Sequence, residues 1–230
     1  MIDAILALIA PHHCYGCGES GSILCLSCYN DITEEEFGRC VWCLKPASVT
    51  DQCRACTSRH GVTGVWTVGE RTGILKSLVG DYKYESIRES AKVMAKLLDQ
   101  RIAVLPKNTI VTAVPTVRQH IRTRGFDHAA MLAREFSGLR QLRFTPLLSR
   151  RHQRSQHDLK LAARHRAARE AFGLKNTPES GPVLLIDDIM TTGATIEACV
   201  QLLREAGVQD IYVAVIARQL LDETPPPLVK

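Results

Sequence analysis

Two groups of residues in this 230-residue chain have types and spacings that could do chemistry. The first lies in VLLIDDIMTTGAT, Val183 to Thr195. Four apolar residues lead into Asp187 and Asp188, and a hydroxyl-rich turn, Thr191-Thr192-Gly193-Ala194-Thr195, follows. The apolar run shows no alternation, as expected of a strand covered on both faces. Successive strand residues point to opposite faces, so two adjacent aspartates cannot both enter the core. Neighbouring carboxylates repel, and they are tolerated where water, donors or a cation face them. A sugar diol and Mg²⁺ are partners of that kind. The turn then enters a helix, whose first N–H groups are unpaired and carry partial positive charge. Gly193 and Ala194 leave the backbone open to close approach, and the threonines add donors, so the turn reads as a phosphate cradle. It lacks the spacing and the lysine of a P-loop, which argues against nucleoside triphosphate hydrolysis. The plainer alternative is a strand–turn–helix with polar capping.

The second group is sulfur. Eight of the nine cysteines form four C-x-x-C pairs: Cys14/Cys17, Cys25/Cys28, Cys40/Cys43 and Cys53/Cys56. A C-x-x-C turn puts two thiolates on one side of a tight knuckle, and two knuckles complete a tetrahedral zinc site. Sequential pairing gives two zinc ribbons, Cys14 to Cys28 and Cys40 to Cys56; a cross-braced arrangement is the alternative. With cysteine at every position there is no open site for water, so the two zinc ions are expected to be structural. They replace a core that about sixty residues with few large apolar side chains would struggle to build. Disulfides are the competing reading, and a reducing compartment argues against them. His12 and His13 precede Cys14, but four thiolates per site leave them as bystanders. Cys199 shares an apolar helical face with Ile196, Val200 and Leu203, the signature of a buried, inert thiol.

These groups need elements to hold them. From about Gly61, strand and helix signals alternate. GVWTVGE, TIVTAVP (Thr109 to Pro115), GPVLLIDD and DIYVAVIA (from Asp210) read as strands, with a short one near Phe144. Residues 73–84, 87–101, 158–170, the stretch DHAAMLAREF from Asp127 and TIEACVQLLREAG from Thr195 read as helices. That alternation predicts an α/β fold with a mostly parallel sheet and helices on both faces, binding ligands at the carboxyl ends of its strands. The expected organisation is a Cys-rich module over 1–60 and an α/β domain over 61–230. MIDAILALIA carries Asp3, lacks a basic region and is too short to span a bilayer, so it reads as a packing helix and the cytoplasm is the expected compartment. The tail TPPPLVK reads as frayed.

Positive charge is concentrated in the middle. Residues 118–169 hold thirteen Arg or Lys against three Asp or Glu, whereas residues 1–60 hold four against seven. Such a footprint suits phosphate groups or nucleic acid.

The stretch from Val183 to Thr195 resembles the phosphoribosyl-pyrophosphate (PRPP) motif of type I phosphoribosyltransferases. The resemblance implies that Asp187 and Asp188 bind the ribose hydroxyls, and that Thr191, Thr192, Gly193, Ala194 and Thr195 hold the 5′-phosphate. The cysteine-knuckle front, LVGDYKY, the VP followed by R-x-x-x-R-x-R-G-F, and R-x-x-x-x-Q together resemble the ComF/GntX family of competence-associated proteins over nearly the whole chain. In that likeness the loop of Pro115, Thr116 and Arg118 faces pyrophosphate. Arg122, Arg124 and Gly125 continue the basic segment, and Lys83 lies near the crevice. The family commonly has Asn-Gln where Asp127 and His128 stand, and Asn where Ala167 stands. The resemblance implies a Mg²⁺-dependent phosphoribosyltransferase with an unidentified acceptor, linked to competence and DNA uptake. The alternative is a module that binds single-stranded DNA and uses PRPP as ligand. The basic stretch Arg150 to Arg169 serves either reading, as a flap that closes Gln156 over PRPP or as a grip on DNA phosphates.

Overall fold

The structure is a computed structural model that describes residues 12–47, 50–81, 87–103, 105–151 and 171–220. Two helices come first, α1 (Leu26–Glu34) and α2 (Arg54–His60), then β1 (Gly64–Glu70), α3 (Gly73–Asp81) and α4 (Ile87–Arg101). Next are β2 (Ile110–Ala113), α5 (Arg118–Arg124), α6 (His128–Leu139), β3 (Arg143–Phe144) and β4 (Leu148–Arg150). The chain continues through β5 (Phe172–Leu174), β6 (Val183–Met190), α7 (Ala194–Glu205) and β7 (Ile211–Arg218). Five strands form one sheet in the order β1-β7-β6-β2-β3. All its pairings are parallel. β4 and β5 make a separate antiparallel pair. The expected mostly parallel α/β architecture is therefore present. The helix expected over 158–170, the first ten residues, Lys83, Ala167 and the tail lie outside the described residues.

Strand alternation sorts the core into two layers. Leu184 and Ile186 of β6 enter a cluster with Met94 and Leu98 of α4 and Leu132 and Phe136 of α6. Val183 and Leu185 point the other way, onto Ile196, Cys199 and Leu203 of α7. Each such buried Leu or Ile stabilises the fold by about 1.5–3 kcal/mol, so truncating Leu184 to Ala would open the layer under the acid pair. Asp127 begins α6 as the sequence suggested: its carboxylate accepts from the Ala130 N–H at 3.1 Å. Helix α5 was not expected. It is short, and Gly125, at φ 83°, closes it by donating to Ile121 O.

Both Cys-rich modules depart from the all-β ribbon. Each has a knuckle, one isolated antiparallel bridge (His13 with Ser20, Arg39 with Pro46), then a helix that starts directly after its third cysteine. The first module contributes Cys14, Ile23, Leu24 and Cys28 to the α4 side of the core. The second contributes Phe37, Val41 and Trp42 to the α7 side. It also covers the exposed edge of β1, where Asp51 N–H donates to Val65 O at 2.9 Å and the Asp51 carboxylate accepts from Thr67 N–H at 2.7 Å. An edge strand left open invites pairing with another chain. Burial pushes the Asp51 carboxyl up to about 6, against the opposing pull of the Thr67 N–H and of Arg101.

Candidate functional site

The cysteines pair sequentially. Cys14, Cys17, Cys25 and Cys28 bring their sulfurs within 4.8 Å of one another, and so do Cys40, Cys43, Cys53 and Cys56. The Cys17–Cys25 and Cys43–Cys53 sulfur separations are both 3.7 Å. A tetrahedron with Zn–S bonds of about 2.3 Å has edges of about 3.8 Å, so both sets fit zinc, whereas a disulfide needs about 2.05 Å. Backbone N–H groups are aimed at the sulfurs, with Gly16 and Cys25 both 3.4 Å from Cys14 Sγ. Burial raises the Cys14 pKa, but those N–H groups and that of Cys17 outweigh it and hold the thiol down to about 6. In the second cluster the Cys56 N–H, acting against burial, brings Cys53 down to about 7. His13 stays outside both clusters, its Nδ1 3.2 Å from Gly18 O.

The other site forms at the carboxyl edge of the sheet. β6 and β2 are hydrogen-bonded neighbours, with Val114 N–H continuing the ladder to Ile186 O at 2.9 Å. The turn after β6 and the loop after β2 therefore stand side by side. Thr191 and Thr192 are exposed, while Gly193 is buried and N-caps α7 with φ 81° and no side-chain cap. Ala194 N–H lies 3.4 Å from Thr192 Oγ1. A positive φ suits glycine alone without strain. Ala194 and Thr195 are half-buried in the first turn of α7.

The aspartates part as strand geometry demands. Asp187 is half-buried and its Oδ1 accepts from Asp188 N–H at 2.9 Å. Asp188 is buried, 5% exposed, and its Oδ2 lies 3.4 Å from His128 Nε2. In the loop after β2, Pro115 and Thr116 are half-buried and Arg118 is exposed. Thr116 Oγ1 donates to Asp127 Oδ1 at 2.9 Å. Asp127 and His128, noticed in the sequence as substitutions, thus join the start of α6 to both halves of the site. One anchors the loop after β2; the other faces an acid of β6.

Sequence reading missed two further residues. Arg218 ends β7 and is 6% exposed. Its guanidinium donates to Val41 O at 2.6 Å, to Met190 O at 3.1 Å, and to Thr191 O. A lone cation closing the apolar run IYVAVIAR was the available signal. Trp42, inside the third C-x-x-C pair, packs against Gly193; a Cβ there would stand 2.7 Å from Trp42 Cζ3.

Comparison with known proteins agrees with this geometry. The phosphoribosyl transferase domain family matches residues 84–226, more than half of the chain, and the chain belongs to that family. Competence protein ComFC of Streptococcus pneumoniae is 29% identical over 210 residues, 86% of this chain and 88% of that protein. DNA utilization protein YhgH of Salmonella typhi is 28% identical over 163 residues, 67% of this chain and 71% of its own length. Competence protein F of Haemophilus influenzae is 24% identical over 220 residues, 84% of this chain and 96% of that one. Within the domain family the chain is thus of the ComF kind. Among the described residues no helix is long and apolar enough to cross a membrane.

Proposed function

We propose that this chain binds PRPP at the carboxyl edge of β6 and β2 and transfers its phosphoribosyl group to an acceptor, in the cytoplasm, as part of the handling of DNA taken up during competence. One observation carries the reading. The threonine turn after β6, the loop after β2 and the acid pair meet at one end of two neighbouring strands. In this assignment Thr191 to Thr195 hold the 5′-phosphate, Asp187 takes the ribose diol, and Pro115, Thr116 and Arg118 face pyrophosphate. Asp188 completes the acid pair from the opposite face, oriented by His128.

The bond from ribose C1 to pyrophosphate breaks as the acceptor nitrogen attacks C1, so positive charge builds on the sugar and negative charge on the leaving group. Fixed carboxylates beside the sugar and cations beside pyrophosphate match those charges. Mg²⁺ entering with PRPP would neutralise the leaving oxygens while keeping most of its own water ligands.

Calorimetry with PRPP and Mg²⁺ on the zinc-loaded chain tests the assignment. Asp187→Asn and Thr192→Ala should each weaken binding about tenfold, the usual loss for a hydrogen bond to a charged group. No heat at millimolar PRPP would sink it. His128→Gln, which restores the residue common in the family, should keep binding within about threefold. Release of pyrophosphate across a panel of bases and amines then identifies the acceptor.

A second reading is single-stranded DNA binding. The names of the relatives favour it, as do the exposed Arg118, Arg122 and Arg151. Oligonucleotide affinity that falls steeply with salt supports it. An absence of binding at low salt removes it.

A further inference from the structure

We propose that the Cys40–Cys56 module is a working part of the phosphate loop, with Trp42 and Arg218 as positioning residues that hold Met190–Gly193 in an anion-receptive shape. The proposal rests on the reading of that loop as the 5′-phosphate cradle.

A cradle needs its N–H groups aimed outward before the anion arrives. The peptide unit is planar and trans, so its N–H points opposite to its C=O. Arg218 accepts no solvent role; it is buried, and it draws the carbonyls of Met190 and Thr191 inward. The N–H groups of Thr191 and Thr192, in those same peptide units, are thereby turned away from Arg218. The guanidinium is itself held by Val41 O at 2.6 Å. Val41 lies between Cys40 and Cys43, fully buried, and its own N–H donates to Asp51 O at 2.8 Å. A metal-fixed knuckle thus sets Val41, Val41 sets Arg218, and Arg218 sets the loop.

Trp42 supplies a second hold. Its ring lies against Gly193 and stacks on His60, with centroids 4.0 Å apart and planes 14° from parallel. His60 ends α2, the helix that starts after Cys53 and carries Cys56, and its Nδ1 is 2.8 Å from Glu197 Oε1 in the first turn of α7. The second module therefore touches the strand end, the turn and the helix start. The first module meets α3 and α4 instead, through Gly16 against Ile74 and Tyr29 against Lys96.

Hydrogen exchange on the zinc-loaded full chain reads the loop directly. The reporters are the amides of Glu197 and Gln219, which donate to Gly193 O at 2.9 Å and Met190 O at 2.8 Å. Cys43 and Cys17 are the exposed members of their clusters, so Cys43→Ser and Cys17→Ser make a matched pair. Cys43→Ser and Trp42→Ala should speed exchange at both amides by at least about tenfold, with protection in β2 unchanged, while Cys17→Ser changes them less than about twofold. Trp42→Phe should recover most of the protection, and PRPP affinity should follow the same order. If Trp42→Ala does not fold, Trp42→Leu takes its place. Unchanged exchange in Cys43→Ser and the Trp42 variants overturns the proposal, and so does equal loosening by Cys17→Ser. A loop that loosens as expected in a chain that never binds PRPP upholds the coupling and refutes the cradle.

Discussion

The two Cys-rich modules share a ligand set, a knuckle, a bridge and a following helix, yet they meet different parts of the α/β domain. The first joins the layer under α4. The second joins the α7 side, closes the edge of β1 and reaches the turn after β6. The same local chemistry is thus a stabiliser in one place and, on our proposal, a positioning device in the other. What separates them is which face of the sheet each meets.

The comparison can be tested at matched positions. The largest effects should come from the buried ligands. Cys14→Ala and Cys40→Ala, 4% and 0% exposed in the native chain, should each reduce bound zinc from two equivalents to one by metal analysis and lower the unfolding temperature sharply. Retention of both equivalents would break the assignment of the clusters.

Next is Gly193→Ala. At φ 81° a Cβ is strained, and it would also meet Trp42 and Met190. A cost of about 1–3 kcal/mol in chemical denaturation is expected, together with weaker PRPP binding. The cost should shrink in a Trp42→Ala background, and strict additivity would show that the ring and the glycine are uncoupled.

Gly16→Ala is the counterpart in the first module. Its Cβ would run into Cys28 Sγ and stand 2.8 Å from Ile74 Cδ1. It should weaken zinc retention in the first cluster and leave PRPP affinity unchanged; a loss of PRPP binding would erase the distinction between the modules. The smallest effect belongs to Tyr29→Phe, which removes a hydrogen bond to Lys96 O of 3.1 Å and should cost about 0.5–1.5 kcal/mol in thermal or chemical unfolding, with metal content unaltered.

Much of this was legible in the residues. The apolar runs around Val65, Val111, Leu184 and Val213 became strands of the main sheet because burial on both faces leaves a continuous apolar signature. Asp127 was recognisable as a helix start because capping needs only a carboxylate and an N–H a few positions on. The helices after Cys25 and Cys53, and α5, were missed. They are short, nine, seven and seven residues, and ligand spacing and basic charge masked them. The pairing of the knuckles was open between two schemes, since spacing alone permits both.

Read alone, the chain settles what depends on neighbours within a few positions: eight thiols in knuckle spacing, an acid pair after a buried apolar run, and a threonine turn opening a helix. The folded molecule decides what depends on strand order. Arg218 meets Val41 across 177 positions, and His128 meets Asp188 because β6 lies beside α6. Such pairs leave no periodicity or spacing to read, because their contact comes from the packing of whole elements and not from the local preferences of either residue.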